Sequence, residues 1–214
     1  MSRANSNHRF YDRVHQRQVQ RILPGEYLAL KAGCAPSYNP EMMMTVLGSC
    51  VAVCLTDIES ETAGINHFML PGITTSGLGI EPAHALNASA RYGVNAMELL
   101  INKMMMLGAE RNRLQAWVFG GANVLSGMSD IGKGNIAFAL KYLKTEKIFV
   151  SAQNTGGVLP RKIYLDPLVG IPACFSIAKV TPTFDRDEKI YADTLIKTHP
   201  NLSADVSLFC EVIQ

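Results

Sequence analysis

The sequence predicts a single-domain, layered α/β sandwich with a mixed β-sheet and two main helices. Two proline-free segments, residues 83–107 and 131–144, carry apolar side chains at helical spacing. Short apolar and β-branched runs come before the first segment, between the two and after the second. Because strands precede and interleave with the helices, we expect a sheet with both parallel and antiparallel neighbours, packed under the helices.

Upstream of the first helix, residues 23–33 are typical of a turn followed by a short strand. Residues 51–57 are apolar with little polar alternation, which indicates a strand buried on both faces. Residues 63–69 are expected to pair with this strand as a hairpin. The Gly-, Ser- and Thr-rich residues 71–82 then predict a flexible loop that borders the site.

The first helix is expected to end at Gly108. A strand at residues 115–119 then leads into a GGAN turn, whose glycines allow a tight turn or close backbone packing. This turn lacks the GxGxxG and GxxxxGK[ST] fingerprints, so a doubly wound nucleotide fold is not expected. Further strands are predicted at 147–152, 162–165 and 172–180, and the methionine clusters 42–44 and 104–106 are expected to fill the core.

Composition indicates an ordinary globular protein. Of the 214 residues, 48% are hydrophobic and 18% charged, and the formal charge of +2 is too small to favour a nucleic-acid binder. No apolar run approaches the length of a membrane span, and the N-terminus does not resemble a signal peptide. Five cysteines without a dense framework suit free thiols in a reducing compartment. We therefore expect a cytoplasmic protein.

The N-terminal segment is unusually basic. Four arginines recur at every fourth position, so on a helix they would form one stripe: Arg9, Arg13, Arg17 and Arg21. Such a stripe serves either as a docking arm for an acidic partner or membrane surface, or as a solvated or frayed extension, which we favour. We therefore divide the chain into a basic extension (1–22), a domain (23–180) and a C-terminal tail (181–214) without an assigned function.

Cys50 and His67 lie at the margins of neighbouring predicted strands, as a candidate nucleophile and a candidate base. Thr45 could accept a hydrogen bond from the second imidazole nitrogen and fix the tautomer. Gly48 and Ser49 could leave backbone N–H groups near an oxyanion. Taken singly, each residue type more often has a structural role, as a packed thiol, a hydrogen-bonded core histidine, a strand former or a turn residue.

A metal site is not expected. Cys54 follows Cys50 by four residues, so both face the same side of a strand, and Cys54 is best interpreted as a packed thiol. The two cysteines and His67 lack a fourth ligand at a recognisable spacing for zinc.

Five segments occur in an order that resembles the CheD family of chemoreceptor glutamine deamidases: LGSCVAVCL at 47–55, GINHFMLP at 64–71, FGGAN at 119–123, IGKGN at 131–135 and NTGGVLPRKIY at 154–164. The resemblance extends from about residue 23 to residue 180. It implies an α/β layered fold and an enzyme that needs no metal or organic cofactor.

The resemblance also implies a cysteine hydrolase that converts selected glutamines of methyl-accepting chemotaxis receptors to glutamate and releases ammonia. Cys50 and His67 match the family's nucleophile and base, and Thr45 is the natural match for its third residue. In some bacteria the family forms a complex with the phosphatase CheC. Because the substrate is a side chain on a long helical receptor, we expect a shallow cleft.

Two other functions remain open at this stage. A non-enzymatic adaptor could use the same surface to bind receptors or a CheC-like partner. A cysteine protease is disfavoured because papain-type motifs are absent. The basic pair Arg161 and Lys162 either contacts an acidic receptor surface or belongs to a loop with solvated charges.

Overall fold

The computed structural model describes residues 1–5, 8–33, 41–70, 82–124, 129–178, 190–191 and 194. Apart from Pro82, the loop predicted at 71–82 lies outside these residues. The same holds for the tail at 181–214, apart from Ile190, Tyr191 and Thr194.

The described chain contains strands in two sheets and two long helices. The strands are β1 Ser2–Arg3, β2 Arg9–Asp12, β3 Arg17–Arg21, β4 Glu26–Lys31, β5 Met42–Leu47, β6 Val51–Asp57, β7 Thr62–Asn66, β8 Gln115–Gly120, β9 Phe149–Thr155, β10 Arg161–Leu165 and β11 Ala173–Ser176. The helices are α1 Pro82–Met106 and α2 Ser129–Thr145, and a short 3₁₀ turn spans Arg111–Arg113. None of the described helices is long and apolar enough to span a membrane.

Both sheets are mixed. The first has the order β1-β4-β7-β6-β8-β9, with parallel pairs at its two edges and antiparallel pairs between them. The second has the order β11-β10-β5-β3-β2, and its one parallel pair is β3 with β5. The predicted α/β class with two main helices is confirmed, and the strands divide between two mixed sheets.

Strand β6 lies at the centre of three layers. The side chains of Val51, Val53 and Leu55 pack with the helices, in one core cluster. Cys50, Ala52 and Cys54 point to the other face and pack with apolar residues of the second sheet. Every residue of β6 is therefore buried, which confirms the prediction of a strand covered on both faces. The predicted hairpin with β7 is also confirmed by their antiparallel register.

The N-terminal residues are strands, not the helix or frayed extension that the arginine spacing favoured. β2 and β3 form an antiparallel hairpin, and β1 pairs with β4 in the other sheet. Asp12 accepts hydrogen bonds from the backbone N–H groups of Val14 and His15 at 2.8 and 3.1 Å, which stabilises the hairpin turn. Val19 is fully buried, so the hairpin contributes to the core. The described residues of this segment, 1–5 and 8–22, are thus part of the fold.

The two methionine clusters differ from each other. Met42, Met43 and Met44 are all buried, as predicted. In the second cluster only Met104 is buried, whereas Met105 and Met106 are 44% and 78% exposed. The expectation that the whole second cluster is core is wrong, because successive helical residues point about 100° apart and only one can face the sheet.

Candidate active site

Cys50 and His67 are brought together by the pairing of their strands. Val51 and Phe68 form a bridge in which each backbone N–H donates to the other's carbonyl at 2.9 Å. Cys50 and His67 each precede one member of this bridge, so they are diagonal neighbours on the same face of the sheet. Diagonal neighbours lie about 7–8 Å apart or less, within reach of an imidazole. The sequence prediction that these two residues meet is consistent with this register.

Their shared face looks toward the second sheet, where Thr45 lies on β5. The hydroxyl of Thr45 donates to the carbonyl oxygen of Ile22 at 2.8 Å. The Thr45 hydroxyl oxygen also lies 2.8 Å from Nδ1 of His67. Because a hydroxyl has one proton to donate, the Thr45 oxygen accepts a hydrogen bond from Nδ1. The imidazole therefore carries its proton on Nδ1, which leaves the lone pair on Nε2.

The environment keeps His67 neutral. Burial lowers the pKa of His67 to about 3, an effect that a backbone hydrogen bond to Ile22 partly opposes and that nearby Arg21 reinforces. Nε2 is buried and has no hydrogen-bond partner among the described residues. A buried polar atom without a partner is costly and is a frequent sign of function. Here the unpartnered atom is the one that a general base would use.

The turn Gly48–Cys50 is held by its carbonyl groups. The oxygens of Gly48 and Cys50 accept from the N–H groups of Ala122 and Gly121 at 2.6 and 2.7 Å. No cis peptide bond occurs in the described chain, and a trans peptide directs its N–H opposite to its carbonyl. The N–H of Ser49, which follows the Gly48 carbonyl, consequently points away from Ala122.

Gly120 is the last residue of β8 and the first of the GGAN turn, and both its conformation and its surroundings require a glycine. Its φ is +103°, and a Cβ at this position would lie 2.2 Å from the carbonyl oxygen of Cys50. Only glycine allows this conformation together with this close approach. The prediction that these glycines allow a tight turn or close backbone packing is confirmed, and Gly120 packs against the backbone of Cys50.

Asn135 was not singled out from the sequence, although it ends the IGKGN segment. Its Nδ2 donates to the carbonyl oxygen of Ser49 at 2.9 Å, and its Oδ1 accepts from the N–H of Leu70 at 2.8 Å. The side chain is fully buried. It therefore joins the turn before Cys50 to the segment after His67. The signal in the sequence that could have identified Asn135 is a polar residue on the side of a helix that faces the sheet.

The NTGGVLPRKIY segment supports the same region. Arg161 is buried, and it donates to Oδ1 of Asn154 at 2.8 Å and to the carbonyl oxygen of Gly156 at 2.6 Å. The N–H of Gly156 in turn donates to the carbonyl oxygen of Gly120 at 2.9 Å. Arg161 therefore shapes its own loop and is not placed to contact an acidic receptor surface, which excludes that interpretation for this residue.

Cys54 behaves as the predicted packed thiol. It is fully buried, and burial raises the pKa of Cys54 far above its ordinary value. In the part of the chain that the structure describes, no three His, Cys, Asp or Glu side chains are grouped so that they could hold a metal ion.

Comparisons with known proteins agree with the family resemblance of the sequence. The family model "CheD chemotactic sensory transduction" matches residues 69–171. The "Probable chemoreceptor glutamine deamidase CheD 1" of Shewanella oneidensis is 42% identical over 209 residues, which cover 97% of this chain and 95% of that protein. The "Probable chemoreceptor glutamine deamidase CheD" of Thiobacillus denitrificans is 44% identical over 75% of each chain. That of Vibrio cholerae is 37% identical over 94% of this chain and 84% of its own. With relatives this similar along nearly its whole length, the chain belongs to the CheD family.

Proposed function

We propose that this protein is a cysteine-dependent protein-glutamine deamidase that converts selected glutamines of methyl-accepting chemotaxis receptors to glutamate and thereby regulates chemotaxis. The observation that carries the proposal is the unpartnered Nε2 of buried His67, with Thr45 at its other nitrogen. The names of the curated relatives support the same activity. The role of Cys50 as nucleophile is part of the proposal.

The first step forms a thioester. The Cys50 thiol passes its proton to Nε2 of His67 as the sulfur attacks the carboxamide carbon of the substrate glutamine. The carbonyl π-bond opens, and N–H groups of the Gly48–Ser49–Cys50 turn stabilise the oxyanion. When the oxyanion collapses, the carbon–nitrogen bond breaks and the proton on Nε2 goes to the departing nitrogen, which leaves as ammonia.

The second step restores the enzyme. Neutral His67 removes a proton from water, and the oxygen attacks the thioester carbon. The second tetrahedral intermediate breaks its carbon–sulfur bond and releases glutamate, and Nε2 returns the proton to the sulfur. The net reaction consumes one water and produces one ammonia. Thr45 keeps the lone pair on Nε2 throughout, because Nδ1 donates to its hydroxyl.

We place this reaction in the cytoplasm, at the cytoplasmic portion of membrane receptors. A thiol nucleophile and free cysteines, such as Cys50, Cys54 and Cys174, suit a reducing compartment. A CheC-like phosphatase is a further proposed partner, on the family resemblance alone, and co-purification from the native host tests it.

Mass spectrometry of receptor cytoplasmic fragments tests the proposal. Fragments are incubated with the wild-type protein, with Cys50→Ala and with Cys54→Ala, a matched control four residues along the same face. We expect glutamine-to-glutamate conversion with the wild type and the control, and a loss of at least about 1,000-fold with Cys50→Ala. Continued conversion by Cys50→Ala would exclude it as the nucleophile. If none of the three proteins converts glutamine while all retain receptor binding, the proposed deamidase activity is overturned.

A further inference from the structure

Tyr191 lies in the C-terminal tail, to which the sequence assigned no function. The residue follows the segment matched by the family model, which ends at residue 171. Its ring nevertheless packs against the core cluster that contains Cys50 and Met69. A side chain from outside the sandwich is thus part of the surroundings of the proposed nucleophile.

The position of this ring is defined by Gly25. A Cβ on Gly25 would lie 2.6 Å from Cε2 of Tyr191 and 2.8 Å from its hydroxyl oxygen. The N–H of Gly25 donates to the carbonyl oxygen of His67 at 2.8 Å. The hydroxyl end of Tyr191 therefore lies against Gly25, which holds the backbone of the proposed base, in a space that only glycine leaves open.

Tyr92 of helix α1 is the second partner of this ring. The hydroxyl groups of Tyr92 and Tyr191 are hydrogen-bonded to each other. Both rings pack against the cluster that contains Cys50. Burial raises the pKa of both tyrosines, and the neighbouring Cys50 adds to the effect in each case. These observations agree that the tyrosine pair lies close to the thiol.

The site as described is closed. Cys50 is 0% exposed and His67 is 1% exposed, so the protein itself covers both side chains. Part of the cover must therefore move before a receptor glutamine can reach the sulfur. Tyr92 belongs to a 25-residue helix packed on the sheet, whereas Tyr191 belongs to the tail.

We propose that the space between Gly25 and Tyr92 is the access port for the substrate glutamine, and that Tyr191 occupies this port until the receptor segment displaces it. A glutamine side chain is slimmer than a phenol ring, and its carboxamide can take over the hydrogen bond that the Tyr191 hydroxyl makes with Tyr92. The tail then competes with the substrate for one position. This inference rests on the proposed role of Cys50 as nucleophile.

Alkylation of Cys50 by iodoacetamide tests the port without turnover, since this reagent is itself a small carboxamide. Rates at each cysteine are measured by peptide mass spectrometry in the full-length wild type, Tyr191→Ala and Tyr191→Phe. Tyr11→Ala is the control, because Tyr11 is an exposed tyrosine of the N-terminal hairpin.

We expect Tyr191→Ala to accelerate alkylation of Cys50 by about 10-fold or more, as local opening becomes easier, and Tyr191→Phe to have a smaller effect because its ring remains. Cys54 is fully buried and its rate should not change. Equal Cys50 rates in the wild type and Tyr191→Ala would overturn the proposal. If Cys54 also becomes reactive in Tyr191→Ala, that variant is unfolding, and Tyr191→Phe becomes the deciding variant. An unchanged Cys50 rate in Tyr191→Phe would then overturn the proposal.

Receptor fragments provide the second readout. Saturating fragment should slow alkylation of Cys50 in Tyr191→Ala, and the kcat/KM for deamidation should rise in the same variant. A fall in kcat/KM together with faster alkylation would show that Tyr191 helps to hold the substrate. That result would contradict the proposal that Tyr191 competes with the substrate for the port. Failure of the deamidase assignment would leave the alkylation difference intact, so the two failures are distinguishable.

Discussion

The two ends of strand β6 hold buried polar groups in opposite ways. At its far end, Asp57 is buried and fully engaged with hydrogen-bond donors. At its near end, Cys50 and the diagonal His67 are equally buried, but the imidazole Nε2 has no partner among the described residues. Since an unpaired buried polar atom destabilises a fold, the comparison separates a structural anchor from a site kept ready for chemistry.

The Asp57 end is an ion pair with backbone support. Arg113 donates from Nη2 and Nε at 2.8 and 3.1 Å, and the N–H of Glu110 donates at 2.9 Å. Burial by itself would raise the pKa of Asp57, but these hydrogen bonds outweigh it and lower the pKa to about 2. The carboxylate therefore stays charged and ties the end of β6 to the segment before β8.

Removal of the Asp57 carboxylate should have the largest effect on stability. In Asp57→Ala, Arg113 and the N–H of Glu110 lose their acceptor, and we expect a loss of about 2–4 kcal/mol in the free energy of unfolding, reduced from the fully buried case because Arg113 is partly exposed. Urea unfolding measures it. Deamidation below the unfolding transition should change less than about twofold, since Asp57 lies at the other end of the strand. A large loss of activity without a loss of stability would contradict the structural role that the comparison assigns to Asp57.

Substitution of Thr45 tests the Cys50–His67 end of β6, where Thr45 contacts His67. Thr45→Val keeps the shape but removes the hydroxyl that accepts from Nδ1 of His67, so the imidazole is held less firmly in its tautomer and orientation. We expect kcat for deamidation to fall by about 10- to 100-fold. Thr45→Ser retains the hydroxyl and should keep most of the activity. Equal losses in both variants would assign Thr45 a packing role instead.

Asn135 is expected to act as a positioning residue. In Asn135→Asp the carboxylate can still accept from the N–H of Leu70 but cannot donate to the carbonyl of Ser49, so the turn before Cys50 loses its tether. We expect kcat to fall about 10-fold with a smaller change in KM. Steady-state kinetics at a temperature where the variant is folded measure the split. An unchanged kcat with a lowered stability would leave Asn135 a purely structural role.

The last prediction concerns the pH dependence of stability. Burial holds the pKa of His67 at about 3, below the unfolded value of about 6.5, so the unfolded chain binds a proton that the folded chain does not. Stability should therefore be complete above pH 6.5 and decline as the pH falls toward 3, with a slope of at most about 1.4 kcal/mol per pH unit from this group.

His67→Gln removes that slope, and denaturant unfolding between pH 6.5 and 4.5 measures the difference. Asp57 does not interfere, because its contribution is lost only below about pH 4 and is common to both proteins. Identical slopes in the two proteins would contradict a neutral, buried His67.

The sequence alone predicted the local elements and the two residues that we propose carry the chemistry. The helices, the β6–β7 hairpin and the strand before the GGAN turn follow from periodicity and turn residues within short windows, and Cys50 and His67 stand at the ends of two paired strands. Residues of the FGGAN and IGKGN segments donate hydrogen bonds to the carbonyls of the Gly48–Cys50 turn.

Only the tertiary structure decided what depends on contacts between distant residues. The N-terminal arginines have helical spacing, yet their segment is extended because it forms the β2–β3 hairpin and pairs with β5. The tautomer of His67 depends on Ile22 and Thr45, and the Gly48–Cys50 turn depends on Asn135. The second sheet and the place of Tyr191 against Gly25 are likewise long-range. Strand pairing and buried hydrogen bonds join residues far apart in the chain, so no local pattern specifies them.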